Sequence, residues 1–192
     1  MESLFVSTGV VALAEIGDKT QLLAFLLAAR FKKPVPIIAG ILLATICNHA
    51  LAGALGAWIT SLLTPDMLRW VLGLSFLGMA AWTLVPDKIE DDEAAIATRV
   101  GVFGATLVTF FLAEMGDKTQ VATVAMAAHY PDPLLVVAGT TLGMLLADVP
   151  AVFAGDKLAA RIPLKLVHGI AAAMFAALGL ATLLGMGARF GV

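Results

Sequence analysis

The residues best suited to carry out chemistry lie in a nine-residue stretch that occurs twice. Residues 13–21 read LAEIGDKTQ and residues 112–120 read LAEMGDKTQ, so the two copies, 99 residues apart, differ at one position. Each copy places two acids, a lysine, a threonine and a glutamine inside a long apolar run. A charged side chain at the centre of a membrane helix costs roughly 2.5–3.5 kcal/mol. A chain that carries this cost twice is expected to use these residues.

The oxygen atoms of the two copies suit a cation site. If the copies meet, they bring together four carboxylates with hydroxyl and amide oxygens beside them, which are hard ligands that favour calcium, magnesium or manganese over copper or zinc. Two lysines cannot neutralise four carboxylates, so a divalent cation, protons, or each in turn must complete the charge balance. The predicted site residues are Glu15, Asp18, Thr20, Gln21, Glu114, Asp117, Thr119 and Gln120.

Five further residues are candidates for accessory or proton-coupling roles: Lys19, Lys118, Asp148, His49 and Asn48. On a continuous helix Lys19 would share one face with Glu15 and pair with it. Asp148 and His49 occupy equivalent positions at the 99-residue offset. A histidine nitrogen would tilt the preference from calcium toward manganese. The alternatives are a structural ion pair for the lysines, a hydrogen bond to a neighbouring helix for Asp148 and a hydrogen bond to a carbonyl oxygen for His49.

A glycine inside each copy allows the helix to kink. Gly17 and Gly116 lack the side chain that would resist a bend or a close helix contact, and an opened turn would expose backbone carbonyl oxygens to an ion. The glycines therefore allow either a kink or a close approach by another helix at each copy, within spans that are otherwise expected to be continuous helices.

The composition is that of a polytopic membrane protein. Of 192 residues, 60% are hydrophobic and 14% charged, and the mean hydropathy is +0.97. The balance of 12 basic and 14 acidic residues offers no basic block for nucleic acid. The single cysteine, Cys47, excludes an internal disulfide and a Cys-x-x-Cys metal motif. The expected partners are membrane lipid and a divalent cation, without a resident cofactor, and a homo-oligomer is left open.

Turn and charge signals divide the chain into six apolar segments. The predicted spans are Leu4–Ala29, Val35–Leu63, Leu68–Val85, Gly101–Ala128, Leu134–Gly155 and Leu164–Met186. The first segment has no preceding Lys or Arg and no small-residue cleavage site, so it is expected to be a retained span. We therefore predict an all-α integral membrane protein with six transmembrane helices.

The two halves are related by duplication. The similarity at the 99-residue offset extends beyond the nonapeptide, for example to Pro34 and Pro133. Because each half has an odd number of spans, the second half must enter the membrane from the opposite side, as in secondary transporters with midplane sites. The predicted units are a first repeat over 1–87, an acidic cytoplasmic linker over 88–99 and an inverted second repeat over 100–192.

The basic residues predict the orientation. If the first loop is cytoplasmic, that side collects Arg30, Lys32, Lys33, Lys88, Arg99, Lys157, Arg161 and Lys165, and the outside has Arg69 and Arg189. The positive-inside rule then places both termini outside.

At the twin motifs the sequence resembles a known family, the transmembrane calcium/manganese cation exchangers that include the Golgi transmembrane protein 165 and bacterial manganese exporters of the MneA type. The family has two copies of Glu-x-Gly-Asp-(Lys/Arg)-(Thr/Ser) in inverted halves joined by an acidic linker, and both copies match here. The resemblance implies that Glu15, Asp18, Glu114 and Asp117 bind the cation, with Thr20 and Thr119 as supports. It also implies manganese export across a bacterial inner membrane.

The sequence thus favours a transporter, not an enzyme, that exports Mn2+ by cation/proton antiport. A Ca2+/H+ antiporter shares all of these ligands, and a small exporter of lysine-type amino acids is a second alternative. An intramembrane aspartyl protease would need two aspartates in non-identical motifs, whereas these motifs are near-copies. A purely structural membrane scaffold would tolerate neutral residues at Asp18 and Asp117.

Overall fold

The computed structural model describes residues 1–85, 101–154 and 164–185. Within these ranges all regular secondary structure is α-helical. The helices are α1 (Glu2–Glu15), α2 (Lys19–Phe31), α3 (Pro34–Leu62), α4 (Pro65–Thr83), α5 (Gly101–Glu114), α6 (Lys118–His129), α7 (Pro133–Ala154) and α8 (Leu164–Leu183). The predicted linker 88–99 lies outside the described residues, as do Lys157, Arg161 and Arg189.

Three of the described helices are long and apolar enough to cross a membrane: Pro34–Leu62, Pro133–Phe153 and Lys165–Leu183. They correspond to α3, α7 and most of α8. Their length and composition agree with the predicted all-helical membrane protein.

The predicted first and fourth spans are each built from two shorter helices. The first is interrupted at residues 16–18, between α1 and α2, and the fourth at residues 115–117, between α5 and α6. These four helices have 12 to 14 residues, which corresponds to about 18–21 Å each. A hydrocarbon core is about 30 Å thick, so only two such helices in series could cross it.

The helices of the second half follow those of the first at the 99-residue offset. The paired starting residues are Glu2 and Gly101, Lys19 and Lys118, Pro34 and Pro133, and Pro65 and Leu164. The contacts are reciprocal as well, because α1 packs on α7 and α6 as α5 packs on α3 and α2. The duplication inferred from the sequence is therefore matched by equivalent helices with equivalent neighbours.

Two glycines show how closely these reciprocal contacts correspond. A Cβ atom at Gly40 of α3 would lie 3.0 Å from the carbonyl oxygen of Phe103 in α5. A Cβ atom at Gly139 of α7 would lie 2.5 Å from the carbonyl oxygen of Leu4 in α1. Gly40 and Gly139 are equivalent positions, and so are Phe103 and Leu4. The long helix of each half therefore meets the first helix of the other half backbone to backbone.

The two interrupted helices run in opposite directions. The carboxylate of Glu2, at the start of α1, acts electrostatically on His129 and Tyr130, at the end of α6. Phe31, at the end of α2, and Val102, at the start of α5, pack against the same apolar cluster. The first helix of one half therefore begins where the second helix of the other half ends.

The helices α4 and α8 form a pair that departs from this reciprocity. They cross closely, since a Cβ atom at Gly179 would lie 2.9 Å from the carbonyl oxygen of Gly73. The helix α8 packs on α1, whereas its equivalent α4 packs on α6 instead of α5. In the described part of the chain, the pair therefore contacts one helix from each interruption, α1 and α6.

The apolar interior is divided into two clusters. One joins α1, α4, α6, α7 and α8 around residues such as Val10, Phe76 and Phe175. The other joins α2, α3, α5 and α7 around residues such as Leu23 and Phe110. Ala14 belongs to the first and Ala113 to the second, so each cluster extends to the residue that precedes a motif glutamate.

Candidate cation site

Each copy of the nonapeptide forms a helix interruption with the same local geometry. Gly17 has a φ of +86° and Gly116 a φ of +79°, in the left-handed region that glycine adopts without steric cost. Asp18 and Asp117 then cap the following helices, and each accepts a hydrogen bond of 2.7 Å from the next backbone N–H. Of the two possibilities that the glycines allowed, a kink or a close helix contact, the structure shows a bend so strong that it is a complete break between two helices.

This break corrects one prediction. Glu15 ends α1, whereas Asp18 caps α2, so Glu15 and Lys19 do not belong to one continuous helix. The i, i+4 pairing predicted for these two residues was wrong because it requires an unbroken turn between them.

A glutamine ties each interruption to the opposite half. The Oε1 atoms of Gln21 and Gln120 accept hydrogen bonds from the N–H groups of Gly17 and Gly116, at 2.9 and 2.7 Å. Their Nε2 atoms donate across the repeat interface, to the carbonyl oxygen of Ala147 at 3.1 Å for Gln21 and to Oδ1 of Asn48 at 3.4 Å for Gln120. In this structure both side chains hold the breaks in position.

The acids of both copies are buried together with Asp148 of α7. Glu15, Asp18, Glu114 and Asp148 have no exposed surface, and Asp117 is 4% exposed. The charges of the other four carboxylates all act on Glu15, and that of Asp18 acts on Asp148. These five residues form one electrostatically interacting group, called the acid cluster below.

Several oxygen atoms of the acid cluster make no hydrogen bond within the described part of the chain. They are both carboxylate oxygens of Glu15, both of Asp148 and Oε1 of Glu114. A buried charge without a partner is costly, so these oxygens are suited to hold a cation or a proton. Among the described residues, however, no three His, Cys, Asp or Glu side chains converge closely enough to hold a metal ion. Ligation by several of these acids would require them to move closer together.

The two motif lysines have different environments. Lys118 is 1% exposed, and its Nζ lies 2.9 Å from Oδ2 of Asp18, which is fully buried. This ion pair joins the second helix interruption to the first. Lys19 is partly exposed and forms no ion pair with any carboxylate in the described ranges. The structure thus brings Lys118, but not Lys19, into the acid cluster.

The neutral residues of the predicted site also differ between the halves. Thr119 donates to Oε2 of Glu114 at 3.2 Å, whereas the buried hydroxyl of Thr20 has no hydrogen-bond partner among the described residues. Asn48 donates to the carbonyl oxygen of Phe111 at 3.0 Å and joins α3 to α5. His49 is fully buried, and neither of its ring nitrogens has a described partner.

One residue near the site was missed by the sequence analysis. His168 of α8 is 9% exposed, and its Nε2 lies 2.7 Å from the carbonyl oxygen of Ile16 in the first interruption. The equivalent position in the first half is Arg69, so the repeat gives no signal for this contact. Its only sequence signal is a histidine within an apolar segment.

Comparison with known proteins agrees with the chemistry of these residues. The profile of the family described as divalent cation/proton antiporter GDT1 matches residues 3–91 and 102–189, one stretch in each half. A protein of Vibrio cholerae named "Putative manganese exporter" is 55% identical over 183 residues, which cover 95% of this chain and 90% of that protein. No solved structure gives a significant match.

More distant relatives carry the same family name. A GDT1-like protein of Synechocystis is 31% identical over 188 residues, covering 86% of this chain and 89% of the relative. GDT1-like protein 3 of rice is 28% identical over 200 residues, covering 91% of this chain and 71% of the relative. A transporter family of this kind excludes the intramembrane protease. The chain belongs to the GDT1 family of divalent cation/proton antiporters.

Proposed function

We propose that this protein exports Mn2+ from the cytoplasm of a bacterial cell in exchange for protons, with the acid cluster as the transport site. The observation that carries the proposal is the burial of the four carboxyl groups of the two helix interruptions together with Asp148 of α7, where oxygen atoms of Glu15, Asp148 and Glu114 have no hydrogen-bond partner among the described residues. Carboxylate oxygens are suited both to divalent cations and to protons. The same atoms could therefore carry either one in turn.

The proposed membrane arrangement has six spans in two inverted repeats, with both termini outside. The opposite directions of the interrupted helices and the reciprocal contacts of α3 and α7 support it. In this arrangement the interruptions lie at the midplane, and residues 88–99 form a cytoplasmic linker. A site at this depth is accessible in turn from each side when the repeats move relative to one another.

The proposed ligands are the four motif acids, assisted by Thr20, Thr119, Gln21 and Gln120 and by Asp148. Their approach to one point would replace the mutual repulsion of the acids by attraction to the cation. Proton binding to the same oxygens removes that attraction and releases the cation. Competition for shared carboxylates is thus sufficient for antiport, without a separate proton path.

Manganese is preferred over calcium for two reasons. The first is that the V. cholerae relative is named "Putative manganese exporter". The second is the sequence-based prediction that His49 is a nitrogen ligand, which manganese accepts more readily than calcium does; His49 is buried in α3, and loading would have to bring it to the acid cluster. A Ca2+/H+ antiporter would use the same carboxylates and is the second candidate. The family match gives the amino-acid exporter no support.

The test is Mn2+ uptake into proteoliposomes with an imposed pH gradient, with Ca2+ and Mg2+ as competitors. Asp117→Asn should abolish gradient-driven uptake while the protein still inserts, because it removes a carboxylate from the acid cluster. The matched control is Asp66→Asn, which neutralises a side chain that is 87% exposed and should transport like the wild type. Preferential Ca2+ flux would replace Mn2+ by Ca2+ as the proposed substrate and leave the proposed site unchanged. Absence of any divalent flux in the wild type would refute the proposal.

A further inference from the structure

We infer that Lys118 is an internal competitor for the transported cation, and that its ammonium group must leave Asp18 before the cation can bind there. The inference rests on the proposed function and concerns the same site. Lys118 comes from the second helix interruption and Asp18 from the first, so their 2.9 Å ion pair bridges the two repeats.

Because this ion pair is buried, it excludes a second cation from the Asp18 carboxylate. Lys118 is 1% exposed and Asp18 is not exposed at all, so water cannot screen a second positive charge placed beside the first. A divalent cation on the Asp18 carboxylate would sit against the ammonium group and be repelled by it. The Asp18 carboxylate can therefore bind the lysine ammonium group or the divalent cation, but not both at once.

The positions of the five acids agree with an exchange of the lysine ammonium group for a divalent cation. The five carboxyl groups interact with one another, yet no three acidic, histidine or cysteine side chains in the described ranges converge on one point. An ammonium ion needs a single carboxylate, whereas a divalent cation needs several oxygen ligands. The arrangement described thus suits Lys118 as its counter-ion, and loading with a divalent cation means both lysine release and convergence of the acids.

The repeat supplies a matched comparison. Lys19 occupies the equivalent position in an almost identical sequence, but it is partly exposed and has no ion pair with a described carboxylate. A general role of the motif lysine, such as local helix stability, would affect both positions alike. An internal competitor would be confined to Lys118.

The experiment is equilibrium binding of Mn2+ to the purified protein in lipid nanodiscs, at fixed pH and ionic strength. Lys118→Met should tighten binding at least tenfold, because the competing charge is gone, whereas Lys19→Met should change Kd less than threefold. Lys118→Arg should weaken binding several-fold, because a guanidinium group forms a firmer, two-pronged ion pair with a carboxylate. A purely structural lysine cannot explain tighter binding on its removal.

The outcomes separate the inference from the proposed function. Wild-type protein that binds no Mn2+ overturns the proposed function and the inference with it. Wild-type binding with an unchanged or weakened Kd in Lys118→Met, or equal tightening in Lys19→Met, overturns the inference alone. If Lys118→Met does not fold, the Kd of Lys118→Arg for Mn2+ tests the inference instead. Unchanged or tighter Mn2+ binding by that variant contradicts competition between Lys118 and the cation.

Discussion

Gly116→Ala tests whether the second helix interruption depends on a left-handed backbone. Gly116 has a φ of +79°, and a Cβ atom built there has no described atom within 4 Å beyond its two chain neighbours. The substitution is therefore free of steric clash, and its cost is that of the backbone conformation alone. For a residue with a side chain this cost is roughly 1–2 kcal/mol. The variant should lose about this much free energy of unfolding.

Gly78→Ala is the control for this substitution. A Cβ atom built at Gly78 likewise meets no atom of the described residues within 4 Å beyond its own helix backbone, but Gly78 lies inside α4. Alanine is more stable than glycine in a helix by about 0.5–1 kcal/mol, so this variant should be slightly stabilised. The two variants should differ by about 1.5–3 kcal/mol, a factor of roughly 10 to 150 in the unfolding equilibrium.

Unfolding in mixed micelles titrated with a denaturing detergent measures this difference, and Mn2+ uptake into proteoliposomes measures the effect on the site. Uptake should fall in Gly116→Ala, since the break sets Glu114 and Asp117 in place, and stay at the wild-type level in Gly78→Ala. Equal stability of the two variants would show that the interruption does not need a left-handed residue.

Three further substitutions test the difference between the two halves of the site and the helix packing. Thr119→Val removes the hydroxyl that donates to Glu114 and should cost about 1–2 kcal/mol of unfolding free energy. Thr20→Val, at the equivalent position without a described hydrogen-bond partner, should cost less, and equal losses would contradict this asymmetry. Gly143→Ala would place a Cβ atom 2.7 Å from the Thr8 carbonyl oxygen and should cost about 1–3 kcal/mol in the same assay, whereas wild-type stability would contradict the close packing of α1 on α7.

The local features of the site could be predicted from the sequence. The duplicated acids identified the residues that the structure buries together. The glycines allowed a kink at the right positions, but the spans were expected to be continuous and the complete breaks were not predicted. The pairing of Glu15 with Lys19 was wrong because helical spacing applies only within one helix. The extent of the break depends on capping by Asp18 and on Gln21, whose partner Ala147 is distant in the sequence.

The differences between the two copies could not be predicted. Lys19 and Lys118 lie in nearly identical nonapeptides, so no local pattern distinguishes the partly exposed lysine from the buried one. The distinction lies in contacts between the halves, since Lys118 pairs with Asp18 of the first half. The helices α4 and α8 also depart from the reciprocal arrangement of the other helices. The contact of His168 with Ile16 belongs to the same asymmetric region.

The reciprocal contacts also have a consequence for biosynthesis. The first helix, α1, packs mainly on α7, and α3 packs on α5, α6 and α7, whereas contact within the first half is slight. Residues 1–85 are therefore synthesised before their main packing partners. They can complete their packing in the bilayer only after α7 has been made. The two halves should assemble as an interleaved unit, and either half synthesised alone should remain unfolded and exposed to proteolysis.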